Sequence, residues 1–234
     1  MKGLIIPNHL GIILDGNRRW ALEHKLKPWQ GHPLGAEKFE KFLEWCVELK
    51  IPMVSAYVLS TENLKRPKKE VDALLDLFQK ELEKLEKEKV SFLDKYEIRM
   101  KFIGDLTRLP MGLRRVMGNI MKRTEKYNQR VFNLLVAYGG KFELTQAVKK
   151  IAKKAIETGV VTVTEKTIKD NLLVKDDIDL LIRTGGSERI SNFMPWQVSY
   201  AEMVVLRKYW PEITKRDLIR CIKEYNRRQR RFGY

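Results

Sequence analysis

At 234 residues with 44% hydrophobic side chains, the chain can bury one substantial core, and no low-complexity tract interrupts it. Its apolar runs are far shorter than the roughly 20 residues of a membrane-spanning helix, and its beginning lacks a secretory cleavage pattern, so we expect a soluble cytoplasmic protein. The net charge of +16 indicates an anionic partner without specifying it, because such a potential concentrates phosphates, nucleic acid and acidic headgroups alike.

Six short apolar runs recur along the chain. They are mostly continuous rather than alternating, which is typical of strands covered on both faces of a parallel sheet. The predicted strands are Leu10 to Leu14, Met53 to Leu59, Ile98 to Ile103, Val131 to Ala137, Ile178 to Ile182 and Met203 to Leu206.

Segments of helical periodicity separate these runs, and the last of them has a plausible start at Thr214 with Asp217 three residues later. The alternation predicts an α/β fold: a single domain, residues 1–234, with a mainly parallel sheet of about six strands flanked by helices. Cys46 and Cys221 fall on helical patterns and are interpreted as buried, reduced thiols.

The segment from about Lys69 to Tyr96 is long for a globular helix, and its polar positions are almost all Lys and Glu. Its heptad seam is too marginal for a coiled coil, so a long helix packed on the sheet is predicted. On periodicity alone, its apolar stripe between residues 71 and 85 favours ordinary core over the wall of a ligand cavity.

Polar or glycine-rich turns follow five of the predicted strands. The carboxyl ends of parallel strands lie along one edge of a sheet, so we expect these turns to converge on one crevice. The turns are Asp15 to Arg19, Ser60 to Asn63, Gly104-Asp105, Tyr138 to Gly140 and Arg183 to Gly186.

The chemistry of this crevice suits a phosphoester. Arginine forks and backbone amides at helix starts bind diphosphates, and one carboxylate such as Asp15 suffices for a magnesium ion that completes its shell with phosphate oxygens and water. The chain contains neither a Walker A loop nor a G-x-G-x-x-G fingerprint, which weakens kinase, ATPase and dinucleotide interpretations. Its three histidines and two cysteines lack zinc-ligand spacing.

The residues at these turns resemble those of the cis-prenyltransferases, the family of undecaprenyl and dehydrodolichyl diphosphate synthases. The matching segments are LDGNRRWA, Gly31-His32, YVLSTENLKRP, AYGG, IRTGGSERISNF and Tyr200-Ala201-Glu202, in order from about His9 to Gly233. The resemblance implies a six-stranded, mainly parallel sheet, usually in a homodimer, and condensation of isopentenyl diphosphate with an allylic prenyl diphosphate.

The resemblance also implies roles for individual residues. Asp15 would hold Mg²⁺ against the allylic diphosphate, and Glu202 would complete the metal site, in some arrangements from the partner subunit. Asp15 and Asn63 are the predicted catalytic residues. The predicted substrate-binding residues are Gly16, Asn17, Arg18, Arg19, Trp20, His32, Ser60, Thr61, Glu62, Asn63, Arg66, Arg183, Arg189, Ser191, Arg231 and Gly233.

Within this set, Arg183, Arg189 and Ser191 resemble the residues that bind the diphosphate of isopentenyl diphosphate, and Arg231 and Gly233 resemble a motif that reaches across the dimer. The resemblance raises the cavity interpretation of the long helix above the core interpretation, because a growing prenyl chain needs an apolar wall. The general base stays open between a substrate phosphate oxygen and water held by Asn17 or Ser60. The family most often supplies lipid carriers for glycan assembly, and a basic surface suits peripheral contact with anionic membrane headgroups.

Three positions depart from the family pattern: Pro28 replaces a frequent arginine, Leu64 a frequent tryptophan and Ser187 a frequent glutamate. They leave the allylic primer, the product length and the regiochemistry open, so a short-chain or non-head-to-tail synthase is the alternative within the family.

The sequence gives less support to two other classes of protein. A trans-prenyltransferase would need a DDxxD motif, which Asp176 to Leu180 only imitates. A nucleic-acid-binding protein could use the basic tail, since residues 207 to 234 carry ten Lys/Arg against three Asp/Glu, but no recognised module accompanies it, so no nucleic-acid partner is expected.

Overall fold

The fold is built on one six-stranded sheet in a computed structural model that describes residues 3–87 and 90–228. The strands are β1 (His9–Ile13), β2 (Met53–Ser60), β3 (Ile98–Ile103), β4 (Arg130–Tyr138), β5 (Leu180–Arg183) and β6 (Glu202–Val205). Their order across the sheet is β3-β4-β2-β1-β5-β6, and every pair is parallel. The predicted α/β class is confirmed, and the sheet described is wholly rather than mainly parallel.

Eight α-helices lie in the described ranges. They are α1 (Asn17–Glu23), α2 (Gly31–Glu48), α3 (Lys68–Lys87), α4 (Val90–Lys95), α5 (Met111–Thr124), α6 (Gly140–Thr158), α7 (Glu165–Asn171) and α8 (Lys215–Arg227). The long segment predicted as one helix is helical on both sides of residues 88–89, which lie outside the described residues. The predicted start of α8 is confirmed, because Thr214 and Asp217 form a reciprocal capping box.

Side chains alternate between the two faces of the sheet, as the pleat of a strand requires. Leu10 and Ile12 of β1 join the larger core, which includes Phe42 of α2, Leu82 of α3 and residues of α5 and α8. Ile13 joins a smaller core on the other face with Tyr57, Tyr138 and Phe193. Each fully buried aliphatic side chain contributes roughly 1.5–3 kcal/mol, so both faces hold the sheet in place.

Two sequence predictions are refined by hydrogen bonding and burial. The fifth strand begins at Leu180 rather than Ile178, because the Ile178 amide donates to Gln197 outside the sheet. Cys46 and Cys221 are buried and unpaired, as predicted, and burial raises the pKa of the Cys221 thiol to about 12.

Strand β1 occupies the point where the chain changes direction across the sheet. The chain passes from β1 to β2 on one side and later returns to place β5 on the other. In open parallel sheets, ligands bind outside the carboxyl ends of the strands at such a switch point. None of the helices in the described part of the chain has the length and apolar character to cross a membrane.

Candidate active site

A cavity of about 1180 Å³ opens at the carboxyl ends of β1, β2 and β5. Its polar end is lined by residues of the turns after these strands and by the first turn of α1. Its apolar wall is built mainly by α2, α3 and the sheet, and comprises Phe39, Leu43, Leu74, Leu75, Phe78, Leu82, Leu85, Met100 and Leu134. The apolar stripe predicted between residues 71 and 85 thus faces the cavity along part of α3.

Asp15 stands at the polar end, directly after β1, with its side chain 28% exposed. One carboxylate oxygen accepts a hydrogen bond from Arg183 Nη2 at 2.8 Å, and the other lies 3.1 Å from Arg19 Nη2. The Asp15 carbonyl accepts from Thr184 Oγ1 at 2.6 Å and from the Trp210 amide at 3.0 Å. The turns after three strands therefore fix this carboxylate between two guanidinium groups.

Gly16 lets the chain turn from β1 straight into α1. Its φ of 114° lies in the region that only glycine adopts readily, and a Cβ there would stand 2.7 Å from the Tyr209 ring. The first amides of a helix have no partner within it, so α1 presents free N–H donors beside Asp15. Asn17 Oδ1 is buried there without a hydrogen-bond partner.

Arg183 reaches the site from the end of β5 and is almost fully buried, with a side-chain exposure of 5%. Its Nη1 donates to Ser191 Oγ at 2.8 Å and to the Arg189 carbonyl, while its Nε has no partner. A buried guanidinium N–H without an acceptor is costly, and an anion bound against it would remove that cost.

A second basic cluster lies on the α3 side of the cavity. Arg66 and Arg18 both pair with the buried carboxylate of Glu70, at 3.0 and 3.4 Å. His32 faces the same cavity, and its buried Nε2 has no hydrogen-bond partner. Burial, followed by the nearby charge of Arg66, lowers the pKa of His32 to about 4, so its imidazole is neutral at neutral pH.

The turn after β2 is held in shape by its own side chains. The Ser60 amide donates to Asn63 Oδ1, and the Asn63 amide donates to Ser60 Oγ, both at 3.1 Å. The Thr61 amide donates to the Tyr138 carbonyl of β4 at 2.9 Å. The Ser60 and Asn63 side chains therefore reach the cavity from a rigid turn.

Most of the predicted site residues share the lining of this cavity. They are Asp15, Gly16, Asn17, Arg18, Arg19, His32, Ser60, Glu62, Asn63, Arg66, Arg183, Arg189 and Ser191. Trp20 instead stacks on His24 with ring centroids 4.0 Å apart, and the Thr61 side chain hydrogen-bonds Glu62 outside the lining. Arg231 and Gly233 lie outside the described residues.

Glu202 is not brought to Asp15 within one chain. It begins β6 opposite Leu180, whereas Arg183, at the Asp15 end of β5, lies opposite Val205. Three residues of strand separate the two levels by roughly 10 Å. Glu202 pairs instead with Arg228 at 3.2 Å.

The turn after β3 also fails to join the crevice, contrary to the expectation that all five turns converge. In the sheet, β4 and β2 lie between β3 and β1, which places the β3 turn roughly 14 Å to the side. The Asp105 amide bonds the Ala137 carbonyl, and its side chain accepts from Thr107. The order of the strands in the sheet keeps the β3 turn out of the crevice, and the periodicity of apolar residues does not reveal that order.

The three positions that depart from the family pattern stand outside the ring around Asp15. Pro28 begins a short 3-10 turn, where Lys27 lies 5.7 Å from the Trp29 ring centroid. Leu64 packs against the larger core, and Ser187 is partly buried after β5. The cavity lining includes neither Lys25 nor Lys27, the two lysines that stand just before Pro28 in the sequence.

Sequence reasoning missed two residues that shape the polar end. Tyr209 supports Gly16 and Arg19, whose guanidinium carbon lies 5.2 Å from the Tyr209 ring centroid. Asn192 lines the cavity and contacts two other turns. Asn192 directly follows the predicted Ser191 in the segment IRTGGSERISNF, and both facts are sequence signals that could have drawn attention to it.

The donor set at Asp15 fits a magnesium ion bound together with a phosphate ligand. In the described part of the chain, no group of three or more His, Cys, Asp and Glu side chains could hold a metal unaided. Mg²⁺ commonly takes one or two protein carboxylates and fills its remaining positions with phosphate oxygens and water. Asp15, surrounded by arginines, provides such a carboxylate.

Comparison with known proteins finds relatives over nearly the whole chain. The Prenyltransf family model, which describes undecaprenyl diphosphate synthases, matches residues 13–233. A tritrans,polycis-undecaprenyl-diphosphate synthase (geranylgeranyl-diphosphate specific) of Pyrococcus horikoshii is 41% identical, over 100% of this chain and 89% of the relative. A protein of the same name from Methanopyrus kandleri is 42% identical, over 97% and 85%.

Two solved structures share the fold over nearly their full length. Lavandulyl diphosphate synthase from Lavandula x intermedia, in complex with dimethylallyl diphosphate, has a TM-score of 0.89 at 30% identity, covering 97% of this chain and 98% of that one. A probable undecaprenyl diphosphate synthase from Campylobacter jejuni has a TM-score of 0.80 at 34% identity and covers 100% of both chains.

Proposed function

The chain belongs to the undecaprenyl diphosphate synthase family of cis-prenyltransferases, and on that basis we propose that it condenses isopentenyl diphosphate with an allylic prenyl diphosphate, leaving a cis double bond. The observation that carries the proposal is Asp15, set between Arg19 and Arg183 at the polar end of a long apolar cavity. Diphosphates need the arginines, and the prenyl chain needs the apolar wall.

The two diphosphates occupy different parts of the polar end. The allylic diphosphate lies at the start of α1, where free amides, Arg19, His32 and Arg66 are available. The diphosphate of isopentenyl diphosphate lies against Arg183, Arg189 and Ser191. Support comes from the unpartnered Nε of Arg183 and Nε2 of His32, two buried polar atoms that an incoming anion would satisfy.

Asp15 holds Mg²⁺ in this proposal, and the ion, when bound, supplies positive charge that stabilises the departing diphosphate. Arg19 and the α1 amides bind the same leaving group and stabilise the negative charge that it gains. Arg183 and Ser191 orient isopentenyl diphosphate so that its double bond can attack the allylic carbon. Ser60 and Asn63, locked to each other, hold the reacting ends and exclude bulk water.

The lost proton passes to a substrate phosphate oxygen or to water held by Asn17 or Ser60, since no ionisable base of the chain is assigned to that step. Asn17 Oδ1 suits such a role, because it is a buried acceptor without a partner beside the cavity.

Geranylgeranyl diphosphate is the proposed primer, and a long polyprenyl diphosphate is the proposed product. The relatives at 41% and 42% identity are named geranylgeranyl-diphosphate specific. The cavity volume of about 1180 Å³ exceeds the roughly 300–1,000 Å³ of sites for drug-sized ligands. The alternative, a short-chain or non-head-to-tail synthase, is favoured only by the resemblance to lavandulyl diphosphate synthase.

The experiment incubates the protein with labelled isopentenyl diphosphate, Mg²⁺ and, separately, allylic primers of five, ten, fifteen and twenty carbons, and then sizes the products. We expect the highest kcat/KM with the twenty-carbon primer, and products several isoprene units longer than it. Single condensation with the five-carbon primer as the preferred reaction would favour the short-chain alternative. No incorporation with any primer would refute prenyl transfer.

The active unit is proposed to be a cytoplasmic homodimer in which Glu202 of one copy approaches Asp15 of the other. This is supported by the position of Glu202 at the start of edge strand β6, away from Asp15 of its own chain. Peripheral contact with anionic membranes would let a carrier-lipid precursor leave the protein, and the net charge of +16 supports that contact.

A further inference from the structure

Asn192 connects three turns at the carboxyl edge of the sheet. Its Nδ2 donates to Glu62 Oε1 at 3.1 Å, in the turn after β2. Its Oδ1 accepts from the Lys141 amide at 2.8 Å, and its carbonyl accepts from the Gly140 amide at 2.8 Å, both in the first turn of α6. Its donor and both of its acceptors are therefore engaged with segments distant in sequence.

The backbone around Asn192 is shaped to bring these segments together. Ser191, Asn192 and Met194 all have positive φ, at 48°, 64° and 37°. Asn tolerates this conformation better than most residues, because its short polar side chain can bond locally. Neighbouring glycines make room for the approach, since a Cβ at Gly139 would stand 2.8 Å from Asn192 Nδ2.

On either side of Asn192 lie residues that the proposed function assigns to different substrates. Ser191 accepts from Arg183, which holds Asp15 and is assigned to isopentenyl diphosphate. Glu62 directly precedes Asn63, which is locked to Ser60 beside the reacting carbons. A shift of the Glu62 turn relative to the Ser191 turn would change the distance between the two reacting ends.

We propose that Asn192 is a positioning residue that fixes the turn after β2 relative to the turn after β5, and so sets the alignment of the two substrates for condensation. This role rests on the proposed function. It predicts that loss of the Asn192 side chain lowers kcat more than it weakens binding of either substrate, because misalignment of bound reactants slows the chemical step.

The hydrogen bond to Glu62 can be broken and rebuilt with changes of two side chains. Burial of Glu62 opposes its ionisation, yet hydrogen bonds from its own backbone, Asn192, Ser60 and Thr61 outweigh that effect and lower its pKa. Asn192→Asp therefore places a carboxylate against another carboxylate and removes the donor. It keeps an acceptor for the Lys141 amide at the start of α6, where a negative charge is favourable.

Glu62→Gln in the same chain restores a donor, because the glutamine Nε2 can bond the new aspartate. Glu62→Gln alone keeps an acceptor for Asn192, and because Glu62 lines the cavity, the kcat of this single variant is the reference for the double variant. Asn192→Gly deletes the side chain while leaving the positive φ unstrained, so it separates the amide from the backbone conformation.

The test compares kcat, KM and binding of each substrate alone for the wild type and for Asn192→Gly, Asn192→Asp, Glu62→Gln and the double variant Asn192→Asp/Glu62→Gln. We expect kcat to fall on the order of 10- to 100-fold in Asn192→Gly and Asn192→Asp, with each dissociation constant within about 3-fold of wild type. The double variant should recover kcat to within about 3-fold of Glu62→Gln.

Each other outcome has a clear meaning. Normal kcat in Asn192→Gly and Asn192→Asp, or a double variant no faster than Asn192→Asp alone, overturns the positioning role while an active wild type keeps the proposed function. A fall in substrate affinity that accounts for the whole loss also overturns it, because a direct binding role would then suffice. A wild type without turnover overturns the proposed function and this role with it.

Discussion

His32 shows at the scale of one residue how the site is prepared for an anion. Its imidazole is buried beside Arg66 and Arg18, two positive charges that disfavour its protonation and help to lower its pKa to about 4. Its Nε2 faces the cavity without a partner. The residue is therefore neutral at neutral pH, and in the tautomer that carries hydrogen on Nε2 it can donate a hydrogen bond to a diphosphate.

This arrangement predicts a pH dependence of stability. The unfolded chain takes up a proton at His32 near pH 6.5, and the folded chain does so only near pH 4, so the stability falls as the pH drops through this window. Relative to His32→Gln, the wild type should lose ~2 kcal/mol of unfolding free energy between pH 7.5 and pH 5. Urea unfolding at both pH values measures it, and an equal change in the two proteins would contradict it.

Individual site residues were predictable from sequence where a predicted strand or a recognisable segment indicates their position. Asp15, Arg19 and Arg183 follow strands and lie in recognisable segments, so their convergence could be anticipated. Asn192 lies in one of these segments, but its contacts could not be predicted, and Tyr209 lies outside them. Their contacts, with Glu62 and with Gly16 and Arg19, join segments separated by more than a hundred positions and depend on how the turns pack.

At the scale of elements, α3 is both a structural helix and the wall of the cavity. Leu82 is buried in the larger core, whereas Leu74, Phe78 and Leu85 are only partly buried and line the cavity together with it. Leu74 and Leu85 are eleven residues apart, which corresponds to roughly 16 Å along the helix. The cavity therefore follows α3 for three turns, away from the diphosphate end.

Leu85, near the end of the described part of α3, should limit product length. We predict that Leu85→Trp shortens the longest product by at least one isoprene unit, because the larger ring fills the far end of the cavity, while addition of the first isoprene unit changes less than about 2-fold. Product sizing by chromatography measures both. Ile156→Trp on the exposed face of α6 is the control. Identical product lengths in the two variants would contradict the prediction that Leu85 limits product length.

The helices and strands were largely predictable, because the spacing of apolar residues and the turn residues between them indicate where each one begins and ends. All six strands begin and end within two residues of their predicted bounds. The order of the strands was not predictable, since every parallel order buries the same apolar runs. That order removed the β3 turn from the crevice. Glu202 is kept from Asp15 of its own chain by its place at the start of β6, three residues from the Asp15 end.

At the scale of the whole molecule, the proposed role of Glu202 in the metal site requires a second copy of the chain, because Glu202 lies away from Asp15 of its own chain. Asp15→Ala and Glu202→Ala should each be nearly inactive alone. Mixed and re-equilibrated, the two variants should recover roughly a quarter of wild-type activity, because half of the dimers are mixed and each mixed dimer has one intact site.

This complementation is measured as isopentenyl incorporation after mixing, with sedimentation to establish the oligomeric state. If Glu202 acted only within its own chain, every site in the mixture would lack one residue, and no activity would return. Full activity of Glu202→Ala alone would remove it from the site altogether.

The central claim is that the Asp15 carboxylate, between Arg19 and Arg183, is required for prenyl transfer. Its most direct test is the turnover of labelled isopentenyl diphosphate by Asp15→Ala, with circular dichroism to verify folding and Asp170→Ala, an exposed aspartate of α7, as the control. We predict a loss of roughly 100-fold or more in kcat for Asp15→Ala, because a group acting on transition-state charge is removed, and no loss for the control. Near-normal turnover by folded Asp15→Ala would contradict the account.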